Sequence, residues 1–326
     1  QKERGQWEAA RIAVIRRVVR SVHRDLRRAG RLVIVIEQLA VVAMRVGLHG
    51  RHGPDALQAN AQGLFAQQRP LATEDPEPIG AGRVLLEGGL EVARSMKYPA
   101  SGLEGKLVRL PLVGVSVGIS SIAELQLDMP LYDHLSIGKR NAAPLASLVT
   151  ATGTSTSDAG DLVIGTKIRM LAEGVGHPAV AFRFATKLPN ASNESGLGLD
   201  TTDFYASLLV AKTVQSIRVV ANGGFGILPD PTSGNRQNDV LTYGLSLARA
   251  VTNESEIVGE VNGRISTRNG GPFVGTETRG QAALGARYTK GPIRFDGKLF
   301  FGLQDVDPRI GFGVGMTYVF NAFTLP

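Results

Sequence analysis

The stretch AELQLDMPL (residues 123–131) sets Ala123, Leu125, Leu127, Met129 and Leu131 against Glu124, Gln126 and Asp128. Successive side chains of a strand point to opposite faces, so this period of two makes one face oily and gives the other two carboxylates. A soluble sandwich and a membrane barrel can each use one such strand. The number of similar strands, and what joins them, separates the two.

The pattern recurs along the chain. In 86–94, Leu86, Gly88, Leu90 and Val92 alternate with Glu87 and Glu91. In 161–170 the apolar phase alternates with Lys167 and Arg169, and in 180–188 with Arg183 and Lys187. Residues 256–265 set Ile257, Val261 and Ile265 against Glu256, Glu260 and Arg264, and 293–301 set Ile293, Phe295, Leu299 and Phe301 against Arg294, Asp296 and Lys298. Residues 241–247 and 310–320 alternate large apolar with small residues, and weaker runs lie at 105–118, 201–212, 214–227 and 275–289. In 105–118 both faces read as apolar, and Arg109 fits either.

The connections alternate too. Short links near 118–121, 172–176, 213, 251–254 and 290–291 take turns with mostly longer ones at 98–104, 138–158, 190–200, 228–236, 268–274 and 304–309, rich in Gly, Ser, Asn, Asp and Pro. Short turns at one end, long loops at the other and an even strand number predict a transmembrane, antiparallel, up-and-down β-barrel of about twelve strands. A sheet in lipid must close to satisfy its backbone, and closure turns the apolar phase outward. The soluble alternative inverts the faces, but its interior would be hard to fill with medium-sized residues.

The predicted organisation is an all-β barrel over 83–321, a lead-in over 62–82, and a helical or disordered N-terminal segment over 1–61. The net charge of +7 belongs to that segment: residues 1–61 carry 12 Lys and Arg against 5 Asp and Glu, and the rest of the chain carries 24 of each. The barrel therefore gives no reason to expect a nucleic-acid partner. RIAVIRRVVRSVHRDLRR (11–28) reads as a basic amphipathic helix. LVIVIEQLAVVAM (32–44) is too short to span a bilayer as a helix and suits a signal h-region, with ANA (59–61) as a small-x-small cleavage site. A plug or a surface-bound helix is the competing reading.

RPLATEDPEPIGAGRVLLEGGLEV (69–92), ISSIAELQLDMPLY (119–132), AGDLVIGTKIRML (159–171), AVAFRFATKLP (179–189), GLGLDTTDFYASLLVAK (196–212) and NDVLTYGLSL (238–247), in that order and spacing, resemble the outer-membrane barrel transporter family linked to the meta-pathway of phenol degradation. The resemblance runs over about 69–320 and implies a bacterial outer-membrane location and a pore-like or uptake-associated role. It carries over no catalytic residue. Such barrels often end on an aromatic that the insertion machinery, an expected partner, reads; here NAFTLP follows Phe320.

The expected function is passive or facilitated passage of small molecules, with aromatic or hydrophobic solutes as the class the resemblance implies. The alternatives are a closed structural or adhesive barrel and a membrane hydrolase. The charges on the non-lipid phase form the predicted pore lining: Glu87, Glu91, Glu124, Asp128, Lys167, Arg169, Arg183, Lys187, Glu256, Glu260, Arg264, Arg294, Asp296 and Lys298. They read either as acidic and basic walls casting a transverse field or as ion pairs bracing the interior. A hydrolase needs a Ser or Asp within reach of a His. The barrel holds only His134 and His177, at opposite rims, and Asp133 beside His134 points to the other face. HGRH (49–52) is a weak metal pair, and GFGVG (311–315) reads as small inward residues rather than a phosphate loop. No cofactor, no metal and no enzymatic activity are expected.

Overall fold

The computed structural model describes residues 69–324. The readings placed on 1–61 and on the start of the lead-in lie outside the described residues. The strands are β1 (Arg83–Tyr98), β2 (Leu103–Gly118), β3 (Ala123–Pro130), β4 (Asp133–Arg140), β5 (Ser155–Asp158), β6 (Leu162–Leu171), β7 (Ala179–Leu188), β8 (Asp203–Val214), β9 (Ile217–Pro229), β10 (Gln237–Ala250), β11 (Ser255–Ser266), β12 (Arg279–Lys290), β13 (Ile293–Gly302) and β14 (Ile310–Asn321).

All pairings between these strands are antiparallel, and the sheet closes because β1 pairs with β14 on one side and β2 on the other. The β1–β14 seam runs without a break from Arg83↔Asn321 to Arg94↔Ile310. Fourteen segments make twelve staves, because β3 and β4 both pair with β2, and β6 and β5 continue the next stave against them. The predicted barrel is therefore the observed one.

Prolines explain why one stave is split. Pro130 ends β3 opposite Leu112, and the Leu131 amide donates to the carbonyl of Pro111 on β2. A proline has no N–H to give the ladder, so it belongs at a bulge or an edge. Here two prolines sit side by side and shift the phase of both staves. Below the bulge Leu112 and Gly114 share a face with Gly89 and Glu87, and above it Arg109 stands opposite Glu91. The bulge is why 105–118 reads as apolar on both faces; Arg109 points inward to Glu91 and Asp133. It also corrects the expected loop 138–158. The stave resumes as β4, the next begins as β5, and only residues 141–154 connect them.

The outer surface is apolar. Leu125, Ile168, Phe184, Phe225, Leu241, Ile257, Leu284, Phe295, Phe312 and Val314 are all exposed. The alternate positions are buried and polar: Glu124, Gln126, Lys167, Glu260, Arg294 and Thr317 are each 2% exposed or less. A soluble barrel would show the reverse, so the barrel faces lipid.

Candidate functional site in the barrel interior

The charged residues of the inward phase do not face an empty bore. Residues 69–80, RPLATEDPEPIG, run through it as a strap. Prolines 70, 76 and 78 remove three of the strap's twelve amides, and wall carboxylates accept from several of those that remain. Glu260 accepts from the amides of Ala72 and Thr73 and from the Thr73 hydroxyl at 2.8–2.9 Å, and Glu124 accepts from the Ile79 amide at 2.7 Å.

The strap's own carboxylates reach the cations. Glu74 lies 2.6 Å from Arg183 and 3.4 Å from Lys167, and accepts from the Gln126 amide. Asp75 forms a two-toothed pair with Arg218 at 2.7 and 2.8 Å, while its carbonyl accepts from Lys167 at 2.9 Å. Glu77 pairs with Arg169. Lys167 also meets Glu124, its cross-strand partner, at 3.0 Å. Burial works against ionisation of Glu74, but the charges of Arg183 and Lys167, with hydrogen bonds from Gln126 and Lys167, hold its carboxyl below the ordinary glutamate range.

Glycine makes room for the strap's first side chain. Gly89 and Gly315 are direct partners across the β1–β14 seam, and a Cβ on either would fall 2.2–2.5 Å from the Arg69 guanidinium. Arg69 donates to the Val314 carbonyl at 3.2 Å and lies 3.8 Å from Asp296, and its own carbonyl accepts from Arg287. The strap thus touches β1 and β14 at one end, β9 to β11 in the middle and β2, β3, β6 and β7 at the other. It crosses the half of the bore nearest the short turns.

The other half is different. Leu103, Leu107, Leu135, Ala93, Ala283 and Phe300 form an apolar cluster inside the wall, the Phe300 ring lying over Gly311. Beside it is a cavity of about 190 Å³ lined by Glu91, Met96, Arg109, Asn262, Arg279 and Asp307 among others. Glu91 is shared by Arg109 at 3.2 Å and Lys298 at 3.7 Å.

All fourteen residues read as pore lining lie on the inward phase, and most are neutralised locally. Lys187 meets Asp161 and Asp203 at 3.1 and 3.2 Å, and Glu256 lies 3.6 Å from Arg287 and 3.8 Å from Arg294. Arg264 donates to the carbonyls of Gly275 and Glu277. Glu87 accepts from Thr317 at 3.3 Å, and Asp128 lies beside Glu87 over Gly114. Acids and bases are therefore paired at close range around the interior. Sequence reasoning missed Glu74, Asp75, Glu77, Arg218 and Gln126. Their signal was a run of three acids in a proline-dotted lead-in beside a barrel with unassigned cations.

The two histidines stay apart. His177 is held in a turn by its bridge to Gly174. His134 points outward and its Nδ1 lies 2.7 Å from the hydroxyl of Ser157. Tyr132 stacks on the ring and its hydroxyl shares Ser157 at 2.9 Å.

No family pattern matches the sequence, and no curated protein matches it. Among solved structures the chain is similar to the NanC porin (9% identity, TM-score 0.45, 72% of this chain and 98% of that one). It is also similar to the translocator domain of the autotransporter NalP from Neisseria meningitidis (14%, 0.43, 73% and 88%) and to the CymD monoaromatic hydrocarbon channel (10%, 0.38, 84% and 94%). The barrel itself is established by the strand pairing and the two-faced wall, independently of these likenesses. A closed antiparallel barrel with an apolar exterior, short turns at one end and long loops at the other is an outer-membrane barrel, and the bacterial outer membrane is its place.

Proposed function

We propose that the chain is a gated passage for small molecules across the outer membrane, shut in its resting state by residues 69–80. The observation that carries this reading is Glu74, bonded to Lys167 and Arg183 across the bore. A strap held by charge can be released by neutralising or displacing it, whereas a bore filled by wall side chains cannot. The fourteen charged positions then line the passage once the strap leaves. The side near the long loops offers apolar wall beside polar rim, which suits small aromatic or otherwise hydrophobic solutes, the class implied by the likeness to the phenol-degradation transporters. Partners on this reading are lipid, the solute and the insertion machinery, and no chemistry is performed on the solute.

The same ion pairs favour a second reading, a permanently closed structural barrel. Conductance in planar bilayers separates the two. A gated passage is silent or nearly so as wild type and conducts once Glu74, Asp75 and Glu77 are changed to Gln, Asn and Gln. A structural barrel stays silent in both, or unfolds. The Ser157–His134 contact favours a hydrolase only weakly, because among the described residues no carboxylate bonds the imidazole to orient it. A fluorophosphonate probe that labels Ser157 would reinstate it.

A further inference from the structure

We infer that the outer wall over β1, β2 and β4, just above the apolar band, binds the phosphate of an anionic lipid of the outer leaflet. Ala93 and Leu107 are buried in the interior cluster, so their neighbours Arg94 and Lys106 point out, and both are exposed. Lys106 stands directly opposite Ser136 on β4, and both are exposed. One pair further toward the short turns comes the His134–Ser157 contact.

Height and surroundings select the ligand. Arg94 lies eleven residues up β1 from Arg83. At about 3.3 Å per residue and a tilt near 40°, that is about 28 Å, against an apolar band about 25 Å tall. The cations thus stand at the headgroup level of the leaflet on the long-loop side, which is the external one. Below them Leu110 and Leu131, half exposed at the proline bulge, with Tyr132 beside them, offer an apolar panel for acyl chains. Among the described residues no carboxylate is bonded to Arg94 or Lys106, and cations so placed above a panel of this kind complement a phosphate on a lipid better than a soluble anion, which could not use the panel. On the same outward phase of β2, Glu104 is engaged by Lys139 at 3.6 Å. The inference does not depend on whether the bore conducts.

The test uses the full chain folded in detergent and native mass spectrometry. It is incubated with bisphosphorylated lipid A, with the same lipid dephosphorylated, and with inorganic phosphate. The phosphorylated lipid should be retained and the dephosphorylated one lost. Arg94→Gln with Lys106→Gln should weaken retention about thirtyfold, each charge counting for about a fivefold change. Arg94→Lys with Lys106→Arg, which keeps both charges, should retain the lipid. Cold SDS mobility confirms that each variant is folded. Equal retention of the two lipids, undiminished binding by the Gln variant, or binding of inorganic phosphate in place of the lipid would each overturn the proposal.

Discussion

Glu74→Gln is the sharpest perturbation of the strap. Glutamine keeps the volume of Glu74 and can still accept from Gln126, so what is lost is one charge. Lys167 keeps Glu124 at 3.0 Å and the Asp75 carbonyl at 2.9 Å, and so stays paired. Arg183 loses the carboxylate it meets at 2.6 Å and keeps the neutral oxygen of Gln126 at 2.8 Å. Removing one partner of a buried pair costs about 3–5 kcal/mol, and the surviving contacts put this case at about 3 kcal/mol. Because Glu74 belongs to the strap, the cost falls on docking. About 3 kcal/mol raises the released population roughly a hundredfold. The absence of cysteine makes this measurable. Leu71 is 7% exposed on the docked strap, so a Leu71→Cys reporter should react with a maleimide only through release. Glu74→Gln in that background should speed labelling by up to a hundredfold and add conductance in bilayers. Arg183→Gln on top of it should add little, since the two act on one contact. A folded Glu74→Gln variant labelled within threefold of its parent, with no new conductance, would refute the latch.

Three further outcomes follow. Glu74 holds its proton less readily when docked than when free, so its contribution is full above about 4.5 and fades as pH falls through a lower value. Labelling of Leu71→Cys, divided at each pH by that of a free cysteine peptide because the thiolate is the reacting form, should therefore stay slow at about pH 5 and quicken only in stronger acid; relative quickening already near pH 6 contradicts this. Leu284→Arg, on a side chain 51% exposed to lipid, should cost about 2–4 kcal/mol in folding into bilayers, while the inward Gln281→Arg should cost far less. Urea titration of both in vesicles checks the faces, and equal costs would reverse them. Leu90→Cys with Val314→Cys, direct partners across the closing seam, should oxidise to a disulfide without loss of cold SDS mobility. No cross-link under oxidation would mean that the seam is open.

The barrel was legible because its physics is local. Lipid outside and polar groups inside force a period of two on every stave, and the connections show it as alternating short and long. Where the reading slipped, a backbone event broke the period. Pro111 and Pro130 shift the phase of two neighbouring staves together, so β2 reads as apolar twice, and β5 with the last residues of β4 is lost into a loop. Both prolines are plain in the sequence, but their adjacency is a matter of register, which only pairing reveals.

The strap was not legible for a different reason. RPLATEDPEPIG carries no periodicity, because its partners are set by the wall around it and not by its own repeat. What the sequence did hold was a constraint of charge. Lys167, Arg169, Arg183 and Arg218 all fall on the inward phase of β6, β7 and β9, while the acids of that phase lie largely on other staves. Cations so deeply enclosed, with Lys167 fully buried and Arg218 5% exposed, cannot stand without anions close by. Glu124 supplies one, and Glu173 in the turn before β7 supplies another to Arg218. The remainder had to come from a segment that is not a strand yet enters the bore. Glu74, Asp75 and Glu77, three acids in four residues of a lead-in too rich in proline to pair as a strand, meet that requirement. An interior that must be neutral thus selects its own plug. On the proposed reading the same requirement makes the plug conditional, because a contact made of charge is weakened by a proton, a competing ion or a single substitution, and one made of packed leucines is not.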